Sequence, residues 1–324
     1  MPDYQDLIRI DRYGSPEELR LVQDPVPEPG PGELLVKVAA VGVNFIETYQ
    51  RSGVYRVPLP FFPGSEASGT IAAVGEGVTG FAVGDLVATA EGSGTYAEFT
   101  LLDAQRAVKV PGGVDPVEAA AVPLQGFTAH YLINDSYKVK AGDTILTTAG
   151  AGGVGQLLTQ MLKAKGATVI TTTSSPEKAA IAAAAGADHV LRYDEVPGAV
   201  REITDGVGVA AVYDGVGAST FESSLLSLRP RGTMVLFGGA SGQVPPFDLQ
   251  RLNALGSLSI TRPSLSAFLS SPAERAWRAG EVFGAVASGE LKLSIGERFS
   301  LRHADDAHRA LEGRGTTGKV LLVP

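Results

Sequence analysis

Glycines at positions 150, 152 and 155 have the G-x-G-x-x-G spacing that lets a backbone turn tightly and approach the phosphates of a dinucleotide. Alone the spacing is weak. Here the run Thr144–Thr148 leads into it, and the following segment, Val154–Lys165, puts Val154, Leu157, Leu158, Met161 and Leu162 on one helical face. A strand, a glycine turn and the positive end of a helix dipole make a pyrophosphate site. About 20 residues on, an NAD site carries an acid for the ribose hydroxyls. This chain reads Thr171-Thr-Thr-Ser-Ser-Pro-Glu-Lys178, with no acid at the strand end. Ser175 fits an N-cap and Pro176 the first helical position, which puts Lys178 in the first turn. The macrodipole disfavours a cation there, and a bound phosphate reverses that penalty. Ser174, Lys178 and Tyr193 therefore predict a 2′-phosphate pocket and NADPH as cofactor.

The residue types that are missing narrow the chemistry further. The 324 residues include no cysteine and four histidines, His130, His189, His303 and His308, scattered along the chain. Disulfides and thiolate metal sites are excluded. A formal charge of −8 without a basic cluster argues against nucleic acid or an anionic membrane as partner. No apolar run approaches the roughly 20 residues that span a bilayer, and the first residues lack signal-peptide character, so a cytoplasmic protein is expected.

The elements that must position these residues fall into two grammars. Up to about residue 120, short runs (Leu19–Gln23, Leu34–Val41, Gly69–Val74, Asp85–Ala88, Tyr96–Leu102, Ala107–Val110) are cut by Gly and Pro, as in a barrel or sandwich. Asp115, Pro116 and Glu118 predict a capped helix through Val122. From about Lys140, strands at Thr144–Thr148, Thr168–Thr172, His189–Leu191, Val209–Tyr213, Thr233–Phe237 and Ser257–Thr261 alternate with helices, as in a doubly wound dinucleotide fold. A helix at Ala273–Ser288, a strand at Leu293–Phe299, a helix at Ala304–Glu312 and a strand at Lys319–Val323 are expected to return to the first domain.

Five ordered segments then carry a family likeness. Gly42-Val-Asn-Phe-Ile-Glu-Thr-Tyr49, Arg51-Ser-Gly-Val-Tyr55, Pro63-Gly-Ser-Glu-Ala-Ser-Gly69, Ala149-Gly-Ala-Gly-Gly-Val-Gly155 and Thr261-Arg-Pro-Ser-Leu265 together resemble the zinc-free quinone oxidoreductases. These are the zeta-crystallin-like branch of the medium-chain dehydrogenase/reductase superfamily. The resemblance implies an α/β protein with a GroES-like β-barrel catalytic domain (1–122 and 266–324) and a Rossmann NADP-binding domain (123–265). Zinc members place a cysteine where Asn44 stands and a histidine at Ser65, beside Glu66. A carboxamide and a hydroxyl are poor zinc ligands, so no metal is expected.

The same resemblance implies the site residues. Asn44, Tyr49 and Tyr55 would line the reacting pocket, with Phe45, Ile46, Glu47 and Thr48 facing the nicotinamide. Thr128 and Tyr131 would lie near the cofactor, and Gly150, Gly152, Gly153, Val154 and Gly155 on its pyrophosphate. Ser174, Lys178 and Tyr193 match the 2′-phosphate binders. Gly215, Ser241, Gly242, Arg262, Pro263, Ser264, Leu265 and Arg314 complete the cofactor set. Gln125 stands where close relatives carry lysine, and Ser174-Ser175-Pro176 replaces a glycine-containing turn.

Without a Lewis acid an alcohol does not readily lose its proton, whereas quinones and conjugated enones accept hydride directly. The expected activity is an NADPH-dependent quinone reductase, a homodimer, with Asn44, a tyrosine hydroxyl or water steadying the developing charge. The alternatives are an enone, enoyl-thioester or alkenal reductase on the same fold, and a non-catalytic, crystallin-like NADPH-binding protein.

Overall fold

Period-two apolar runs and regular βα alternation each need their own core, and the computed structural model gives each one. It describes residues 1–313 and 315–324, so Arg314 lies outside the described residues. The chain divides into one unit of Met1–Phe127 with Leu269–Pro324 and a second of Thr128–Phe268.

In the first unit β1 (Tyr4–Arg9) and β2 (Arg20–Pro25) form an antiparallel ribbon. Then come β3 (Glu33–Val43), α1 (Phe45–Ser52), β4 (Glu66–Val74), β5 (Leu86–Thr89), β6 (Phe99–Asp103) and β7 (Val108–Lys109). β1 was not anticipated from the sequence; its alternation is interrupted by Arg9 and Asp6. The helix expected from Asp115 is only a 3-10 turn at Glu118–Ala121. The N-cap of that turn is Val117, and Asp115 stands before it, its carboxylate accepting from the Val117 and Glu118 amides at 2.9 and 3.1 Å. Pro123, which offers no N–H, opens α2 (Pro123–Tyr131).

The second unit alternates β8 (Thr144–Thr147), α3 (Gly153–Ala164), β9 (Thr168–Thr173), α4 (Pro176–Ala184), β10 (His189–Arg192), α5 (Gly198–Ile203), β11 (Val209–Asp214), α6 (Phe221–Ser227), β12 (Leu228–Leu236), α7 (Gln250–Ala254) and β13 (Ser259–Thr261). The strand order is β10-β9-β8-β11-β12-β13, all parallel. β11 is buried along its whole length, as a central strand covered on both faces must be. The order reverses between β8 and β11. In such sheets ligands bind beyond the strands' carboxyl ends at that switch point.

The chain then returns to the first unit through α8 (Pro272–Ser288), β14 (Ile295–Ser300), α9 (Ala304–Glu312) and β15 (Lys319–Val323). β15 pairs in parallel with β14 and antiparallel with β3, so the last strand lies inside the sheet β14-β15-β3-β4-β5-β7. Val38, Val41 and Val43 of β3 share a core with Val320 and Leu322 of β15 and with Ala304 and Ala307 of α9. α9 also buries His308, whose Nδ1 accepts from Arg51 at 3.0 Å and whose Nε2 meets the Tyr96 hydroxyl at 3.1 Å. Arginine can only donate, so the imidazole proton sits on Nε2. Burial, with the Arg51 charge beside it, holds this histidine down at about 3, and it stays neutral as a structural residue.

Candidate active site

The second unit collects its candidate residues on one edge of its sheet. The glycine loop follows β8, Ser174 follows β9, Tyr193 follows β10, Gly215 follows β11, Ser241 and Gly242 come after β12, and Arg262 follows β13. Arg192 pairs with Thr173 across β10 and β9, so Tyr193 and Ser174 each stand one residue beyond the same rung. Ser175 is the N-cap of α4 and accepts from the Lys178 amide at 3.3 Å, with Pro176 in the first turn. Lys178 is half-buried in that turn.

The three fingerprint glycines have different reasons. A Cβ at Gly155 would run into the Ala149 carbonyl and come within 2.9 Å of the Gly150 Cα, and one at Gly150 would collide with Thr171. Those two are required by the protein's own packing. A Cβ at Gly152 meets only the Ala149 oxygen, at 3.2 Å. The protein leaves the space beside it otherwise open. Gly152 is the N-cap of α3, whose first-turn amides at Gly153, Val154 and Gly155 precede the first intrahelical carbonyl acceptor. This cradle fits a dinucleotide pyrophosphate.

Asp214, at the end of β11, was not singled out from the sequence, yet it organises the neighbouring loop. Its fully buried carboxylate accepts from the Val216 and Gly217 amides at 2.8 and 3.0 Å, and from the hydroxyls of Thr220 and Ser224, each at 2.7 Å. Ser241 ties the next loop to this one, donating to the Val216 carbonyl at 2.8 Å and accepting from the Ser219 amide at 3.0 Å. Arg262 donates to the carbonyls of Phe237 and Pro263 at 3.1 and 3.3 Å. Pro263 is buried, the Ser264 and Ser266 hydroxyls meet at 2.9 Å, and a short turn runs from Leu265 to Phe268. Thr128 and Tyr131 are buried, and the Tyr131 ring stacks on Phe268 with centroids 4.4 Å apart.

In the first unit the site is built around α1. Tyr49 packs edge-on to Tyr55 at 5.3 Å and lies 6.2 Å from Phe45, while Ile46 and Tyr55 are exposed. The Tyr55 amide donates to the Tyr49 carbonyl at 3.0 Å, holding the pair together. Thr48 turns away, its hydroxyl bonded to the Phe45 carbonyl at 2.8 Å. Glu47 also points inward: its carboxylate accepts from the Asn44 amide at 2.9 Å and from the Ser65 hydroxyl at 2.6 Å. Glu47 and Thr48 are thus both buried.

Behind α1 lies a cluster that the sequence did not reveal. Asn44 donates its two amide protons to Glu66 at 2.9 Å and to the Gly42 carbonyl at 3.1 Å. Its carboxamide oxygen accepts from the Lys319 ammonium at 2.7 Å, and Lys319 also pairs with Glu66. The other Glu66 oxygen accepts from the Leu124 amide at 2.7 Å. Asn44 is the N-cap residue of α1, but its side chain makes no capping bond. Both of its N–H groups are already engaged, so in this arrangement it has none to offer a developing oxyanion. That expectation from the sequence is corrected. Lys319, Glu66 and Glu47 have at most 1% of their surface exposed. One ammonium faces two carboxylates, and burial raises Glu47 to about 7, with Glu66 pushing the same way and Ser65 and Lys319 opposing.

This donor set does not fit zinc. The carboxamide and hydroxyl at Asn44 and Ser65 are poor ligands and already hydrogen-bonded, and an ammonium stands among the oxygens. Among the described residues no group of three or more His, Cys, Asp or Glu side chains is arranged to hold a metal ion. Likewise, no helix among them is long and apolar enough to cross a membrane.

Comparison with known proteins agrees with this geometry in part and differs in one word. Residues 30–112 match the alcohol dehydrogenase GroES-like domain, and residues 153–279 match a family described as zinc-binding dehydrogenase. A quinone oxidoreductase of Pseudomonas aeruginosa is 44% identical over 98% of this chain and 99% of its own. A 2-haloacrylate reductase of a Burkholderia species is 39% identical over 97% and 98%. A mycobacterial protein solved in complex with NADPH superposes with a TM-score of 0.96, at 51% identity over 98% of this chain and 100% of that one.

Proposed function

Because the chain belongs to the quinone oxidoreductases of the medium-chain dehydrogenase/reductase superfamily, we propose that it transfers reducing equivalents from NADPH to a small quinone without a zinc ion. The observation that carries this reading is the occupied donor set at Asn44, Ser65 and Glu66, where an ammonium takes the place a Lewis acid would need. A site of that kind gives an alcohol no help in losing its proton, and it suits acceptors that are electrophilic already.

NADPH, when bound, supplies the hydride. The protein's own part is orientation. The first-turn amides of α3 receive the pyrophosphate, and Ser174, Lys178 and Tyr193 receive the 2′-phosphate. Tyr49 and Tyr55, packed edge-on, supply aromatic surface against which a quinone ring can pack. Charge arriving on the quinone oxygen is met by a tyrosine hydroxyl or by water, and solvent protonates the quinol, so no buried general acid is required. We further read the protein as a cytoplasmic homodimer. β13 ends the strand order of its sheet, and such an edge invites pairing with a second copy.

A second reading, reduction of an activated alkene, is favoured by the likeness to the 2-haloacrylate reductase. An NADPH-oxidation screen over ortho-quinones, para-quinones, enones and 2-haloacrylates, run with and without a strong chelator, separates the readings. Quinone turnover that survives chelation is the expected result. Faster alkene than quinone turnover moves the assignment to the second reading. Loss of activity on chelation, or no turnover of either class, overturns both.

A further inference from the structure

Lys319 is a lysine almost without solvent exposure that opens the last strand, 275 residues beyond Asn44 and 253 beyond Glu66. Burying an ammonium costs several kcal/mol unless it is paired and hydrogen-bonded. Pairing with Glu66 alone would meet that cost. The structure does more than pair it, because the same ammonium also holds the Asn44 carboxamide oxygen, while Glu66 and the Gly42 carbonyl hold its nitrogen. All three directions of the carboxamide are thereby fixed by strand residues rather than by the helix it precedes. Asn44 in turn fixes the start of α1, which carries Tyr49 little more than one turn onward, and Tyr55, beyond the helix end, is held to Tyr49 by its amide and its ring.

We propose that Lys319 is a positioning residue for the reduction, a resident cation whose bond to Asn44 sets the orientation of α1 and its tyrosine pair toward the acceptor. The inference rests on the quinone-reductase reading above. It differs from a simple charge-balancing role, in which Lys319 would serve only to neutralise Glu66. Swapping a buried ion pair for neutral groups of similar shape is often tolerated by the fold. The paired variant Lys319→Met with Glu66→Gln removes the ion pair and leaves the Asn44 oxygen without its donor, and Glu66→Gln alone, measured beside it, reports what the Gln NH2 costs against the Asn44 and Leu124 N–H groups.

The test compares wild type, Lys319→Met, Glu66→Gln, Asn44→Ala and the Lys319→Met/Glu66→Gln double variant. Each is measured for thermal stability, NADPH dissociation constant and quinone-dependent kcat and KM. The expected double variant melts within about 5 °C of wild type, which for a unit of this size is on the order of 2 kcal/mol. It binds NADPH within about twofold of wild type and loses about tenfold or more in kcat, the equivalent of about 1.4 kcal/mol. A double variant with wild-type kcat overturns the proposal, because charge balance would then be the whole role of Lys319. Should the double variant not fold, Asn44→Ala decides, because it keeps the Lys319–Glu66 pair and removes the bond to Asn44: a kcat loss of more than about threefold supports the proposal, and kcat within about threefold of wild type overturns it. A wild-type protein inert toward quinones removes the functional reading itself, and this inference with it.

Discussion

The Glu66 carboxylate occupies the space that a side chain at Gly42 would fill. A Cβ built on Gly42 falls far inside contact distance of Glu66 Oε2 and within 2.8 Å of the Lys319 Cε. Overpacking a tight core costs about 1–3 kcal/mol, and here it would also part a buried ion pair. Gly42→Ala should therefore lose about 3 kcal/mol or more, a fall in Tm of roughly 10 °C. An unchanged Tm would mean that the cluster is loosely held.

Glu47 gives the protein an unusual pH dependence. Its carboxyl is raised to about 7, chiefly by burial, so the folded state binds the proton more tightly than the unfolded state does. A raised group contributes stability that is fully present below its ordinary pKa and is lost as pH rises through the folded value. Between about pH 4.5 and 7 wild type should lose a few kcal/mol, at most about 1.4 kcal/mol per pH unit, relative to Glu47→Gln. Above that window the difference should level off. Denaturant titrations of both proteins at several pH values measure it, and parallel curves would show that Glu47 is ionised throughout. The Gln amide facing the Asn44 N–H adds a cost that does not vary with pH.

The glycine fingerprint splits into packing and ligand roles that two substitutions separate. Gly155→Ala collides with the Ala149 carbonyl and should destabilise the second unit by about 2–3 kcal/mol. Gly152→Ala meets nothing in the protein closer than 3.2 Å, at a φ of −76° open to any residue, so stability should stay within about 1 kcal/mol. Its NADPH dissociation constant should rise at least about tenfold. Unchanged NADPH affinity in that variant would take the pyrophosphate away from this loop.

Asp214→Asn keeps the shape of the side chain and an oxygen for the Val216 and Gly217 amides, but sets an NH2 group against the Thr220 and Ser224 hydroxyls, which must turn to accept, and removes the charge that all four donors share. Losing those charge-assisted bonds should cost about 2 kcal/mol. Because the carboxylate shapes the loop at Gly215, NADPH binding should weaken as well. Chemical denaturation and a fluorescence titration test the two effects on one preparation.

For the 2′-phosphate pocket the discriminating variant is Lys178→Ala. It should weaken NADPH binding about tenfold or more and NADH binding by less than about twofold. Equal losses would remove Lys178 from the pocket.

What the sequence made legible was whatever local chemistry decides. The βα alternation, the Ser175–Pro176 start of α4 and the glycine loop all depend on neighbours within a few residues, and the structure has them at or within a few positions of where they were read. The helix predicted from Asp115 is shortened to a 3-10 turn at Glu118–Ala121, and nothing in its local sequence explains why. Lys319 and Asp214 were illegible for a different reason. A lysine opening the run Lys319–Val323 looks like any polar strand end until β3 and β4 arrive beside it. Asn44 was expected in the site from its position, but partners that engage its carboxamide, Glu66 and Lys319, lie far away in the chain.

The placement of β15 inside the first unit's sheet has a consequence for how the molecule comes into being. Residues 128–268 form one uninterrupted stretch, so the second unit has all its strands available while the remainder is still being synthesised. The first unit begins earlier and finishes later. Until residue 319 has emerged, β3 lacks the strand that separates it from β14, and Asn44 and Glu66 have no ammonium to close on. Unpaired strand edges of this kind are what make an incomplete chain prone to mispairing. The contacts that close around Asn44 and Glu66 thus require a residue made almost at the end of the 324-residue chain.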